Sequence, residues 1–177
     1  MRNFFLAVLL LAIAVASGFA QDEKPAAMSA KKEAKSSSAV PDKALMQKVW
    51  DGWMTMDPAN PAKYYAKGAG HVFYDITPLK YNSWEEYETG VKQVLAGFQS
   101  IKATVNDDAE VHRHGNLAWS TATVHHEDVM KDGKKDQGDF RWTAIWEKTG
   151  KQWLIVHEHI SAPLGGEGGE KSETTTE

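Results

Sequence analysis

The chain has no cysteine, so no disulfide can hold it together and no thiol can act as nucleophile, metal ligand or lipid attachment point. Its stability must come from an apolar core. Arginine is scarce as well: beyond Arg2 there are only Arg113 and Arg141. Lys and Arg together number 20 against 24 Asp and Glu, and no basic stripe is interleaved with aromatics. Nucleic acid is therefore not an expected partner. Phosphate-binding glycine loops and nucleophile elbows are missing too, and no cofactor motif is present.

Long apolar runs are absent except at the start. From Phe4 to Ala16 every residue is apolar, behind the lone charge of Arg2, and small residues stand at Gly18 and Ala20. The run is too short for a membrane-spanning helix and has the layout of a cleavable signal peptide over residues 1–20, cut after Ala20. The expectation is an exported protein, periplasmic or extracellular, with no membrane attachment after cleavage. Residues 21–41 are rich in Ala, Lys, Ser and Pro, and 165–177 in Gly, Glu and Thr. Neither can bury enough surface to offset its ordering entropy, so both are expected to be disordered. All seven histidines and all seven tryptophans fall between them, in a single domain over 42–164.

That domain reads as α+β. Asp42 is placed to cap a first helix carrying Ala44, Leu45, Val49, Trp53 and Met56, stopped by Asp57-Pro58. A short helical piece at 61–66 and a strand at 71–76 follow. Ser83 with Glu86 three residues on forms a capping box ahead of a stripe of Trp84, Tyr87, Val91, Val94, Leu95 and Phe98. Segments 100–114, 116–130, 136–147 and 151–162 are rich in Val, Ile, Thr and Trp. They are divided by the hairpin dipeptides Gly115-Asn116, Asp132-Gly133 and Thr149-Gly150. Asp107-Asp108 marks a bend in the first of them.

The closing hairpin, Thr143-Ala-Ile-Trp146 followed by Gly150-Lys-Gln-Trp153-Leu-Ile-Val-His157-Glu-His159-Ile-Ser161-Ala-Pro163, resembles the end of SnoaL-like domains. These belong to the nuclear-transport-factor-2-like superfamily, which includes ketosteroid isomerases. The hairpin is also similar to the association domain of calcium/calmodulin-dependent kinases. The resemblance implies a cone-shaped curved antiparallel sheet wrapped around the N-terminal helices, with a pocket at its open end. It implies nothing definite about function, because the superfamily hosts both enzymes and assembly domains. It places Asp75 near the general base of the isomerases. It also implies pocket arginines at positions that here read Ala144 and Ile160.

Asp75 and His159 are the candidate acid–base groups. His71, Tyr74, Arg141, Trp142, His157 and Glu158 are the candidate ligand-binding residues. Arg141 and Glu158 are expected to face each other, or nearly so, across the last hairpin, as an ion pair or as a handle for a ligand. A type I turn with Gly150 at a bulge would group Trp142 and Trp146 with Leu154, Val156, Glu158 and Ile160. Arg141, Thr143, Ile145, Trp153, Ile155, His157 and His159 would then share the other face, and a one-residue slip reverses the grouping. The pairs His112/His114 and His157/His159 each put two imidazoles on one strand face and His125-His126 adds to the supply, but a structural or pocket-lining role explains them and no metal site is assigned. Some of Trp119, Trp142, Trp146 and Trp153 should pack on the helices; a strip of them is read as an outer patch buried in a homodimer, the alternative being a monomer whose tryptophans line an internal cavity. The functional expectation is a domain that binds a small, mostly apolar molecule or serves as a dimeric assembly module. The alternative is an isomerase-, dehydratase- or hydrolase-type enzyme.

Overall fold

The computed structural model describes residues 40–163. The expected signal peptide, nearly all of the 21–41 linker and the 165–177 tail lie outside the described residues. Helix α1 spans Lys43–Trp53, and the Asp42 carboxylate accepts from the Leu45 amide at 2.8 Å as an N-cap should. Its buried face is Met46, Val49, Trp50 and Trp53, which keeps Val49 and Trp53 of the expected stripe but takes Met46 and Trp50 in place of Ala44 and Leu45. A 3-10 turn over Pro61–Tyr64 brings Tyr65 against the sheet, where the Ala66 amide donates to the Ile155 carbonyl.

Helix α2 spans Trp84–Leu95 and buries Trp84, Tyr87, Val91 and Leu95. The Ser83 hydroxyl caps the Glu86 amide, while the Glu86 carboxylate reaches one residue further back than a standard capping box, to the Asn82 amide at 2.7 Å. Val94 and Phe98 leave the expected stripe: Val94 is exposed and Phe98 begins a strand. Gly90 is where α2 meets Tyr81. A Cβ there would sit 2.2 Å from the Tyr81 ring, so only glycine allows the helix to lie this close.

The sheet has six strands: β1 (Phe73–Tyr74), β2 (Phe98–Val105), β3 (Glu110–His114), β4 (Leu117–Met130), β5 (Lys135–Thr149) and β6 (Gln152–Ser161). Their order is β1-β6-β5-β4-β2, with β3 also on β4. The strand expected at 71–76 is only two residues long, and it joins β6 in parallel. The segment read as one strand over 100–114 breaks where the aspartates predicted a bend. The Asp108 carboxylate takes the Thr123 amide in place of a ladder bond, and both halves continue along β4.

The last hairpin corrects the expected register. Gly150 has φ of 62°, but Thr149 pairs directly with Gln152 across a two-residue loop. Only the first loop residue has positive φ, the pattern of a type II′ turn rather than a bulged type I turn. The bulge lies deeper. Ile145 pairs with His157 and Trp146 with Ile155, so Val156 is the extra residue. It switches the faces of β6, so that Trp153, Ile155, Glu158 and Ile160 are all buried with Trp142, Ala144 and Trp146. Trp153 and Ile155 therefore do not share a face with Arg141, and Leu154 and Val156 are only half-buried. Gly150→Ala is expected to cost on the order of 1 kcal/mol, read as a lower unfolding midpoint, because a side chain at positive φ is strained.

One core joins α1, α2 and the inner face of the sheet, with Trp142, Trp146 and Trp153 inside it. The outer tryptophan strip is thus corrected to a single residue: Trp119 is 45% exposed, while the other three are at most 4% exposed. Trp142 and Trp146 face the helices by the alternation of β5, and the two-residue loop sets Trp153 on the same side. Among the described residues no helix is long and apolar enough to cross a membrane.

Candidate functional site

Glu158 is a charged residue type in the middle of the core. It sits on β6 opposite Ala144 of β5 and Phe73 of β1, and is only 1% exposed. Burying a carboxyl group there requires donors, and the neighbouring elements supply them. The Trp142 indole donates to Oε2 at 2.9 Å. The Tyr65 hydroxyl lies 3.1 Å from both carboxylate oxygens and itself accepts from the Trp53 indole at 3.0 Å. Burial pushes the Glu158 pKa up to about 7; the Tyr87 hydroxyl, Trp142 and Tyr65 oppose the shift, and the nearby Asp75 charge adds to it. The group therefore changes protonation near neutral pH.

Asp75 follows from the same register. Phe73 pairs with Glu158 and Tyr74 with His159, so Asp75, two residues beyond Phe73, returns to the inner side. Burial raises its pKa, while the Ile76 amide, donating at 2.7 Å, pulls the other way. Asp75 lines a cavity of about 300 Å³ between the helices and the sheet. Its apolar walls come mainly from Trp50, Trp53, Tyr87, Val91, Phe140 and Ile160. On the sheet, His126, Asp128 and Met130 of β4 and Asp136 of β5 also line it.

The expected site residues divide between the two faces. Asp75, Trp142 and Glu158 are on the inner side. His159 is exposed on the outer side, where Tyr74 packs edge-on against it and against His157. It borders a second, open depression shared with Tyr74, Asp75, Leu79 and Pro163. The His157 ring contacts the Val72 carbonyl at 2.6 Å and ties β6 to the start of β1. His71 lies half-buried beside Gly68. Arg141 pairs with Ser161, not Glu158, and is exposed. The proposed Arg141–Glu158 contact is thus corrected: alternation puts the two on opposite faces. His112 stacks on Trp119 outside the sheet. No group of three or more potential metal ligands is gathered among the described residues.

Three parts of the site were missed in the sequence. Tyr87 reads there only as a member of a helical stripe, and Tyr65 only as part of a short turn. The His126–Asp128 pair needed the register of β4 to be known. Ala144 and Ile160, at the positions where resemblance implies arginines, are both buried on the inner face.

The family model for the SnoaL-like domain matches residues 43–165. No curated protein matches the sequence. Among solved structures, a protein from Xanthomonas campestris provisionally named a calcium/calmodulin dependent protein kinase II association domain is 24% identical, with 70% of this chain and 86% of that one covered and a TM-score of 0.61. A nuclear transport factor 2 (NTF2-like) superfamily protein from Salmonella enterica serovar Typhimurium is 20% identical, covering 71% and 96%, with a TM-score of 0.61. An NTF2-like family protein from Streptomyces avermitilis, provisionally named a dehydratase, is 14% identical, covering 67% and 92%, with a TM-score of 0.60. At these identities the likeness is one of fold, the nuclear-transport-factor-2-like cone.

Proposed function

The chain belongs to the SnoaL-like family, and we propose that its domain holds a small, mostly apolar molecule in the cavity between the helices and the inner sheet face. The observation that carries this reading is the cavity itself: about 300 Å³, walled by Trp50, Trp53, Tyr87 and Phe140, with few polar groups facing it. Apolar walls supply affinity and a few placed polar groups supply orientation. Ala144 and Ile160 stand where the kinase association domain is expected to have arginines, which argues against an anionic ligand.

A second reading, an isomerase-, dehydratase- or hydrolase-type enzyme, is favoured by Asp75, a carboxyl group on the cavity wall whose pKa is raised by burial. His159 lies outside that cavity but borders the open depression that Asp75 also lines. The provisional name of the Streptomyces relative is in keeping with this chemistry.

Assembly and export complete the proposal. The outer sheet face leaves Leu117, Trp119 and Ile145 exposed, and a second copy of the chain is the proposed cover. The Xanthomonas relative's name points the same way. Native mass spectrometry of exported material tests all three elements at once. The expected result is a chain starting at Gln21, a dimer, and a bound small molecule that disappears in the cavity-filling variant Val91→Trp. Met1 retained would remove the export element, and monomer mass at micromolar concentration would remove the dimer. A molecule still bound by folded Val91→Trp would place the ligand elsewhere.

A further inference from the structure

His126 and Asp128 lie at i and i+2 on β4, so both side chains point to the inner face. The His126 Nδ1 is 2.8 Å from the Asp128 Oδ2, which fixes the ring and leaves Nε2 as the nitrogen free to meet a ligand. The residues opposite His126 on the neighbouring strands are Ala103 of β2 and Gly138 of β5. Nε2 lies 3.4 Å from the point a Gly138 Cβ would occupy. The ring thus lies over a stretch of sheet with almost no side chains. Phe140 flanks it at 5.8 Å between ring centroids, and both residues line the cavity.

We propose that Nε2 of His126, with the ring held by Asp128, is the hydrogen-bond donor that the cavity presents to a carbonyl or similar acceptor oxygen of an uncharged ligand. The inference rests on the reading of the cavity as a small-molecule site and names the ligand's chemistry there. The charged groups around the ring agree with it. Asp128 on the same strand, and Asp136 and Asp139 on β5, favour the imidazolium over the neutral ring, with the Asp128 hydrogen bond the largest influence and partial burial opposing. Lys102 of β2 does not counter them, because its ammonium pairs with Glu127 at 2.6 Å. Asp75 stands elsewhere on the cavity wall. Asp75, Asp128 and Asp136 outnumber Lys102, the lysine on the lining, so an anionic ligand would be disfavoured, whereas a neutral oxygen can accept the Nε2–H hydrogen bond without bringing charge.

The test uses two probes of similar shape, acetophenone and ethylbenzene, of which only the first has an acceptor oxygen. Binding to the folded protein is followed by tryptophan fluorescence and ligand-observed NMR. The ratio of acetophenone to ethylbenzene affinity is expected to fall roughly tenfold in His126→Phe, the worth of a hydrogen bond from a charged donor. Ethylbenzene affinity itself should hold within about twofold, since the ring is replaced by another of like size. In the wild-type protein the ratio should fall as pH rises through the titration of His126. Asp128→Asn should move that fall to lower pH, because it removes the group that most favours the imidazolium. An unchanged ratio in His126→Phe, or a ratio indifferent to pH, overturns the inference while leaving the cavity reading in place. Failure of both probes to bind the wild-type protein removes the cavity reading and the inference with it.

Discussion

Replacing Glu158 by alanine is expected to lower the unfolding free energy by about 3–5 kcal/mol, read by urea denaturation at pH 7. The deletion leaves a void in the core and strands the Trp142 indole and the Tyr65 and Tyr87 hydroxyls, which have arranged themselves around a carboxyl group. Glu158→Gln keeps the volume and an acceptor oxygen, and should cost much less. The two substitutions also separate volume from ionisation. A carboxyl group whose folded pKa is raised binds its proton more tightly in the folded state than in the unfolded one. Its stabilising contribution is therefore complete below the ordinary value of 4.5 and is lost as pH rises through about 7. That interval corresponds to roughly 3 kcal/mol lost between acid and mildly alkaline pH. Asp75 and His126 are both shifted upward and act in the same direction. Wild-type stability should thus decline between about pH 5 and pH 8, and Glu158→Gln should remove most of the decline. A variant with the same slope as the wild type would show that Glu158 is ionised throughout and that its burial is relieved in some other way.

Much of the fold was legible because local signals agreed with it. Asp42 and Ser83 cap the helices they were expected to cap, and the positive φ at Gly150 was foreseen from its place in a turn. The strand faces were legible in part: Trp142, Trp146, Glu158 and Ile160 share the inner face as expected, and the departure at Trp153 to Val156 traces to one residue. Val156 looks in the sequence like any other strand residue, yet it is the bulge that turns Trp153 and Ile155 inward while keeping Glu158 inward too. A strict alternation must assign one of these pairs wrongly. The outer tryptophan strip failed for a different reason, since Trp142 and Trp146 face inward by the regular alternation of β5.

The site was partly visible for a related reason. Glu158 is legible in the sequence only as a cross-hairpin partner for Arg141, an ion pair or a ligand handle. The actual solution is neutral: the Trp142 indole of β5 and the hydroxyls of Tyr65, just after the 3-10 turn, and of Tyr87 on α2 converge on the carboxyl group, with the Trp53 indole of α1 donating to Tyr65 behind them. Each donor comes from a different part of the chain and each also fits an apolar stripe, so no spacing rule reveals them together. His126 was hidden in the same way. Its distinguishing features are a fixed Nδ1 and two minimal cross-strand neighbours, and Ala103 and Gly138 become neighbours only once β2, β4 and β5 are in register.

The Trp142 indole is where packing and ionisation meet, and Trp142→Ala should be as damaging as loss of Glu158, at about 3–5 kcal/mol. The side chain is 1% exposed, packs edge-on against Trp50 at 5.5 Å between ring centroids and donates to Glu158 at 2.9 Å. Trp142→Phe isolates the second role, because it retains an aromatic ring and loses the N–H. That hydrogen bond favours the charged carboxylate, so its loss should push the Glu158 pKa further up. At pH 5, with Glu158 protonated, the missing bond is one between neutral groups, worth about 0.5–1.5 kcal/mol; at pH 8.5 it is one to a charge, worth about 1.5–3 kcal/mol. The cost of Trp142→Phe should therefore grow with pH, by about 1 kcal/mol or more across that range. In a Glu158→Gln background the growth should vanish, since no ionisation remains for the indole to favour. Denaturation curves for the four proteins of this cycle at both pH values supply the comparison. An equal cost of Trp142→Phe at pH 5 and pH 8.5 would mean that the tryptophan only fills space and that the carboxyl group is held by its two tyrosines alone.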